Sequence, residues 1–519
     1  MSVAAVTAGK ELAALATEYS RPMRKLLTEF GSHSLGTLVD HLHNQPTRGW
    51  QPRDDFVRAV HREATGLYGA ATADAARREL LTAAAVPTAN HFGVDTFADS
   101  VQGTLLLASV RPDSRRHALV VLGFGSISMN NLTYPMGLRL YDDPGDGALE
   151  RIPLRLPVLP NRVKRSTVRA AGPWDRTMLI RALARLRDAA REDKLTPFTA
   201  RSAAEVLSEH YGDDTVLGLP SYAEQAARVT SALWRRLPEH SDMPPLVSIQ
   251  IEDVCSALLA EDLLNPSSLA TLTLFEPATR LRLLSALDSR KGCWKFGDPP
   301  GGTVFFWALD TQGRRVPLTM TGLDQPVPRL VGGGATYDFT PAAVLDGLRT
   351  GSLLPSLFSC FLTLAFARGI PCVGGYFQAE YLPVMQRGLL EALSVASELS
   401  PVAEAITRVP VDLCLAGLQG VTRILGDGSA IPAGPVEIAG AGGLSSEDLG
   451  RLRALPVRDA CLLAFTEMLP HVVPPERLPD RWQIHLAREN AIGRGIQLRT
   501  AEFAVRRGWG ASHGAVPGP

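Results

Sequence analysis

Lysine is scarce in this chain: of 53 basic side chains only six are lysine, and the rest are arginine. Together with abundant alanine, glycine and proline, that skew reflects a GC-rich coding genome and carries no chemistry. Net charge is absent as well, because 53 acidic residues cancel the 53 basic ones. No whole-molecule field therefore draws the protein to nucleic acid or to a membrane surface, and only local patches can do so. Cysteine is sparse, with six residues and no C-x-x-C pair, which excludes a disulfide framework or a zinc ribbon and suits reduced thiols. No H-E-x-x-H motif occurs, and His41 and His43 stand two apart, on different faces of any helix. Long apolar runs are missing too. The most apolar segment, residues 353–367, contains Pro355 and stops at Arg368, short of the ~20 residues a membrane span needs. Lys10 and Glu11 precede any apolar stretch, against an ordinary secretory signal. A cytoplasmic protein with no membrane partner is expected.

What is present describes a packed chain. Over 519 residues, 45% apolar and 20% charged side chains are enough for a sizeable core and too much for one simple domain. Residues 1–80 read as helices, with Leu12, Leu15 and Tyr19 and then Leu26, Leu27 and Phe30 at helical spacing. Residues 81–400 read as an α/β core with inserted helices, and 401–519 as mainly helical, with a glycine-rich linker or mobile loop over 426–443. Within the core, Val86 leads into a polar turn, a helix is expected over 95–110, and the β-rich 118–122 follows. That is a βαβ-like unit with its turn at a strand's carboxyl end, where open α/β sheets place ligands. Residues 303–319 read as a hairpin, Thr340-Pro341 as a helix start and Ser221 as a helix cap.

Four stretches can carry chemistry. In the turn 88–95, His91 is a candidate general base, Asp95 its orienting partner and Asn90 a substrate contact, with turn formation and helix capping as the structural alternative. After the next strand, Asn130 and Asn131, near Tyr134, could hydrogen-bond a polar substrate, with turn formation as the structural alternative. The preceding Gly123-Phe124-Gly125-Ser126 fits neither a dinucleotide fingerprint nor a nucleophile elbow. Gly374-Gly375 precedes Gln378 and Tyr381, two further substrate-contact candidates, while Cys372 lacks a neighbouring base that would make it a nucleophile. Finally, residues 151–191 hold eleven basic side chains against Asp175 and Asp188, and Arg162, Lys164, Arg165 and Arg169 are candidates for gripping phosphate.

The turn Thr88-Ala89-Asn90-His91-Phe92-Gly93, with the later Leu354-Pro355-Ser356 and 374–381, resembles in layout the bacillithiol-type cysteine-adding enzymes. Here Ala89, Asn90 and His91 stand where that family has Gly-Gln-Gln. The general character of 86–140 and 303–386 is also similar to the aminoacyl-tRNA-dependent transferases of actinomycete azoxy-antibiotic pathways. The first resemblance implies a Rossmann-like core and an ATP-dependent amino-acid ligase. The second implies an aminoacyl transferase of antibiotic biosynthesis, moving seryl or another aminoacyl group from tRNA to a small acceptor such as a hydroxylamine, with no cofactor. A non-catalytic scaffold using the arginine face is the alternative from another class.

Overall fold

Leu119–Gly123 and Leu246–Gln250 alternate their apolar side chains between two sides. In the computed structural model Val120, Leu122, Val247 and Ile249 enter one core and Leu119, Val121 and Leu246 another. Strands buried on both faces in this way form the central layer of an α/β fold, with packing on either side. The structure describes residues 5–45, 49, 51, 53–82, 85–109, 116–142, 153–239, 243–394, 397–491 and 494–498.

Five short parallel segments make that layer. Val86–Pro87 pairs with Cys372–Gly375, which pairs with Cys414–Ala416, while Leu119–Gly123 pairs with Leu246–Gln250. The two sets are joined just past Pro87, where Phe92 N–H donates to Phe124 O (2.9 Å) and Phe124 N–H to Asn90 O (3.0 Å). His91 and Phe124 form a parallel bridge there. Numbered along the chain, the segments lie in the order 3-2-1-4-5 across the layer. The order reverses direction between Val86–Pro87 and Cys372–Gly375, leaving a crevice at their carboxyl ends.

Helices cover both faces. Asp54–Tyr68, Ala70–Thr82 and Ile251–Asp262 pack with the hairpin region in the first core, so the N-terminal helices are part of the sheet's own packing. Ala98–Ala108 packs in the second core with Val457–Val472. The helix expected over 95–110 is this shorter Ala98–Ala108, because Asp95 folds back to accept the Phe97 amide and hold the turn open. The hairpin appears as Phe306–Leu309 against Arg315–Pro317, with Leu353–Pro355 on the other edge of the first strand. Thr319–Thr321 departs into a separate three-stranded sheet. Ser221 and Thr340 cap their helices as expected, accepting from Glu224 N and Ala343 N.

A third core, built from Met129, Leu138, Leu156, Trp174 and Tyr222 among others, fills the long excursion between the second and third parallel strands. The glycine-rich run over 426–443 is not a linker. It holds the strand Ala430–Pro432 and the helix Pro435–Gly440, and Ile431, Val436 and Ile438 are buried. Its glycines serve close approach: a Cβ on Gly443 (φ +90) would lie 2.7 Å from the backbone at Pro238 and Glu239. No described helix is long and apolar enough to cross a membrane.

Candidate functional site

A cavity of about 540 Å³ opens where the strand order reverses. Four of the five strand ends deliver wall residues: Thr88 and His91 follow the first, Phe124 and Ser126 the second, Gly375 and Gln378 the fourth, and Ala416 ends the fifth. The hairpin adds Trp307 and Arg315, and the helix start at 97–100 adds Phe97 and Asp99. Its volume suits a small molecule or the end of a larger one.

His91 is held by Asn131. The Asn131 amide is oriented without ambiguity, because its nitrogen donates to Ser128 O (2.7 Å) and its oxygen accepts from Thr133 N and Thr133 Oγ1, both at 2.8 Å. That oxygen therefore also accepts from His91 Nδ1, 2.8 Å away. With the proton fixed on Nδ1, the neutral ring keeps an unprotonated Nε2. Burial lowers the imidazole pKa, outweighing the Asn131 hydrogen bond, which favours the charged form. The ring is thus neutral at pH 7, in the state a general base requires.

The orienting role expected of Asp95 falls instead to Asn131. Asp95 is committed to its own loop, accepting from Phe97 N (3.0 Å) and Ser100 Oγ (2.5 Å). Its parallel-sheet neighbour geometry explains the exchange: the bridge at Phe124 brings the loop after the second strand over His91, while Asp95 turns toward the helix start. Asn90 and Asp95 border a separate small cavity of about 30 Å³ with His91, and Asn90 donates to Thr104 Oγ1.

The remaining candidates divide. Gln378 and Tyr381 line the main cavity, but Gln378 is a buried clamp, accepting from Thr88 Oγ1 (3.0 Å) and donating to Cys372 O (3.1 Å). Asn130 and Tyr134 lie to one side with Arg155, whose guanidinium sits 5.1 Å from the Tyr134 ring and 3.4 Å from Asn130 Oδ1. Cys372 is fully buried and burial pushes its thiol up, away from nucleophile chemistry. Arg162, Lys164 and Arg165 are exposed on a short turn, whereas Arg169 is tied to Asp253. Lys164 O and Ser166 O accept from Asn130 N and Met129 N, so the basic turn backs onto the loop that carries Asn131. Arg151 lies outside the described residues.

Sequence reasoning missed Glu252. This fully buried carboxylate accepts from Gly125 N (2.9 Å) and Ser126 N (2.8 Å), the two amides that the glycine turn would otherwise offer to a phosphate. It also missed Asp99, in the first turn of Ala98–Ala108, and its neighbour Glu467. Among the described residues no three His, Cys, Asp or Glu side chains are spaced to hold a metal ion. No family model and no curated protein matches the chain.

Proposed function

We propose that the protein is an aminoacyl transferase of specialised metabolism, acting in a crevice of a Rossmann-like core. The 3-2-1-4-5 order of parallel segments supports that fold reading, since doubly wound sheets share it and bind ligands at its reversal. An activated aminoacyl group, seryl from seryl-tRNA in the favoured version, passes to the amine or hydroxyl of a small acceptor such as a hydroxylamine. The observation that carries the reading is the His91–Asn131 pair at the cavity wall, a neutral imidazole with Nε2 free to take the acceptor's proton. An aminoacyl ester is already activated, so a base and a positioning cavity are what the reaction needs.

The tRNA version draws support from Arg162, Lys164 and Arg165, an exposed basic turn backed onto the catalytic loop. The nucleotide-dependent ligase draws none from the glycine turn, whose amides Glu252 occupies. The test is transfer of labelled serine from charged tRNA to hydroxylamine by the purified protein without ATP. His91→Ala should lower the rate by ~10²-fold or more. Ligation of free serine that consumes ATP, with no affinity for tRNA, would replace this reading with the ligase. Full transfer activity in His91→Ala would remove His91 from the mechanism, and full pathway output from a protein without transfer activity would favour a scaffold.

A further inference from the structure

At one wall of the cavity Asp99 lies within electrostatic reach of two further carboxyl groups, Asp95 and Glu467. Asp95 comes from the turn before helix Ala98–Ala108, Asp99 from its first turn and Glu467 from helix Val457–Val472. Among the described residues the cation facing all three is Arg139, 3.5 Å from Glu467 and stacked 4.4 Å over Phe97. One guanidinium does not balance three carboxylates when Asp99 is buried and Asp95 and Glu467 are partly so, which favours a proton within the group.

Hydrogen-bond donors decide where it sits. Glu467 accepts from Tyr141 Oη (3.0 Å) and Gln419 Nε2 (2.7 Å) as well as facing Arg139. Asp95 accepts from Phe97 N and Ser100 Oγ. Asp99 has the Gly417 amide, and its other neighbours, Tyr376 and Cys414, carry no positive charge. It is the least compensated of the three, and the only one of them whose side chain borders the large cavity. We infer that Asp99 is the proton donor of the cavity, a neutral carboxylic acid facing the same space as the His91 base. Burial first, and Glu467 second, push its carboxyl up to about 8, while burial lowers His91. Two titratable groups driven apart by their surroundings are the usual signature of an acid and base pair.

This assignment rests on the transferase reading for its chemistry. The acceptor nitrogen or oxygen bonds to the aminoacyl carbon and the ester carbon–oxygen bond breaks. The acceptor's proton goes to His91 Nε2, the Asp99 proton to the departing ribose oxygen, and exchange with water restores both groups. The rate should fall as pH rises through about 8, where Asp99 ionises, and also at low pH, where His91 becomes charged.

Infrared spectroscopy of the purified full chain tests the proton without any substrate. The protonated-carboxyl band should include a component that titrates away near pH 8, above the one expected of Glu437, which burial pushes up to about 7, and that upper component should be missing in Asp99→Asn. Glu467→Gln, which removes a neighbouring charge and leaves Asp99 in place, should shift that titration down by more than about one pH unit. A wild-type protein with no component titrating near pH 8, or one that persists unchanged in Asp99→Asn, overturns the inference. In the transfer assay Asp99→Asn should lower kcat by ~10²-fold with little change in KM and erase the alkaline limb. Transfer activity without the upper component sinks the proton donor and leaves the transferase standing. The upper component without transfer activity sinks the transferase and leaves a protonated Asp99.

Discussion

Glu252 and Asp99 are buried carboxyls in the first turns of helices that follow parallel strands of one sheet, and burial pushes both up, yet they are given different sets of donors. Each Glu252 oxygen accepts a backbone amide, Gly125 N or Ser126 N, and the Ser126 hydroxyl adds a third donor. The group thereby stitches the turn after the second strand to the helix after the third. Asp99 receives the Gly417 amide and looks at Glu467 and Asp95. The carboxyl chemistry and the place in the fold are shared. What separates a structural carboxylate from a reactive one is the donor set brought to it by distant parts of the chain.

The strongest way to break that comparison is to remove Glu252. Glu252→Ala strands two buried amides, each costing about 1–3 kcal/mol without an acceptor, so the protein should lose roughly 3 kcal/mol or more in urea unfolding. Asp99→Ala should cost distinctly less at pH 8, because it removes a group that burial disfavours. Equal losses would mean the two carboxyls play the same structural part.

Asp99→Asn sharpens the contrast through pH. The folded protein holds the Asp99 proton up to about 8, whereas an unfolded chain releases it near the ordinary aspartate value of 3.8. Across that window the folded state binds more protons, so ionisation erodes stability as pH rises, and the asparagine variant escapes the loss. The variant's stability relative to wild type should therefore improve between pH 5 and pH 8, by more than about 1 kcal/mol. Comparing variant with wild type at each pH cancels His91, whose lowered pKa has the opposite sense and costs stability as pH falls below 6.5. A difference that stays flat would place the cluster's proton elsewhere.

Much of the scaffold was legible in the chain, and most of the site was not. The βαβ beginning of the core could be read because 118–122 is an uninterrupted β-rich run and 88–93 a polar turn, both local signals. His91, singled out by the same local logic, lies on the cavity wall. Its partner was misassigned because Asp95 is near in sequence, while Asn131 arrives through the parallel bridge at Phe124. The run over 426–443 was misjudged because glycine content reports backbone freedom and says nothing of burial, whereas Ile431, Val436 and Ile438 were the apolar signal to weigh. Asp99, Glu467 and Glu252 had no visible signal. A carboxylate in a first helical turn usually means helix-dipole stabilisation, and only tertiary contacts distinguish these from the rest.

The smallest expected effect concerns where an anion can dock, and it follows from the same contrast. With the Gly125 and Ser126 amides taken by Glu252, and with Asp99 at the first turn of Ala98–Ala108, the sheet's carboxyl edge offers poor sites for phosphate. The exposed turn bearing Arg162, Lys164 and Arg165 is the better one. Each neutralised phosphate releases counterions, so tRNA affinity should fall with salt at a log–log slope of roughly 0.7–0.9 per contact. Replacing all three with alanine should reduce that slope by about 2. Arg169→Ala should leave it within about 0.5 of wild type, because that guanidinium is already paired with Asp253. Fluorescence titration with charged and free tRNA at several salt concentrations measures both. A slope that responds to Arg169 and ignores the turn would move the phosphate path toward Asp253 and the Glu252 helix, and would show that the closed side of the sheet edge is open to anions after all.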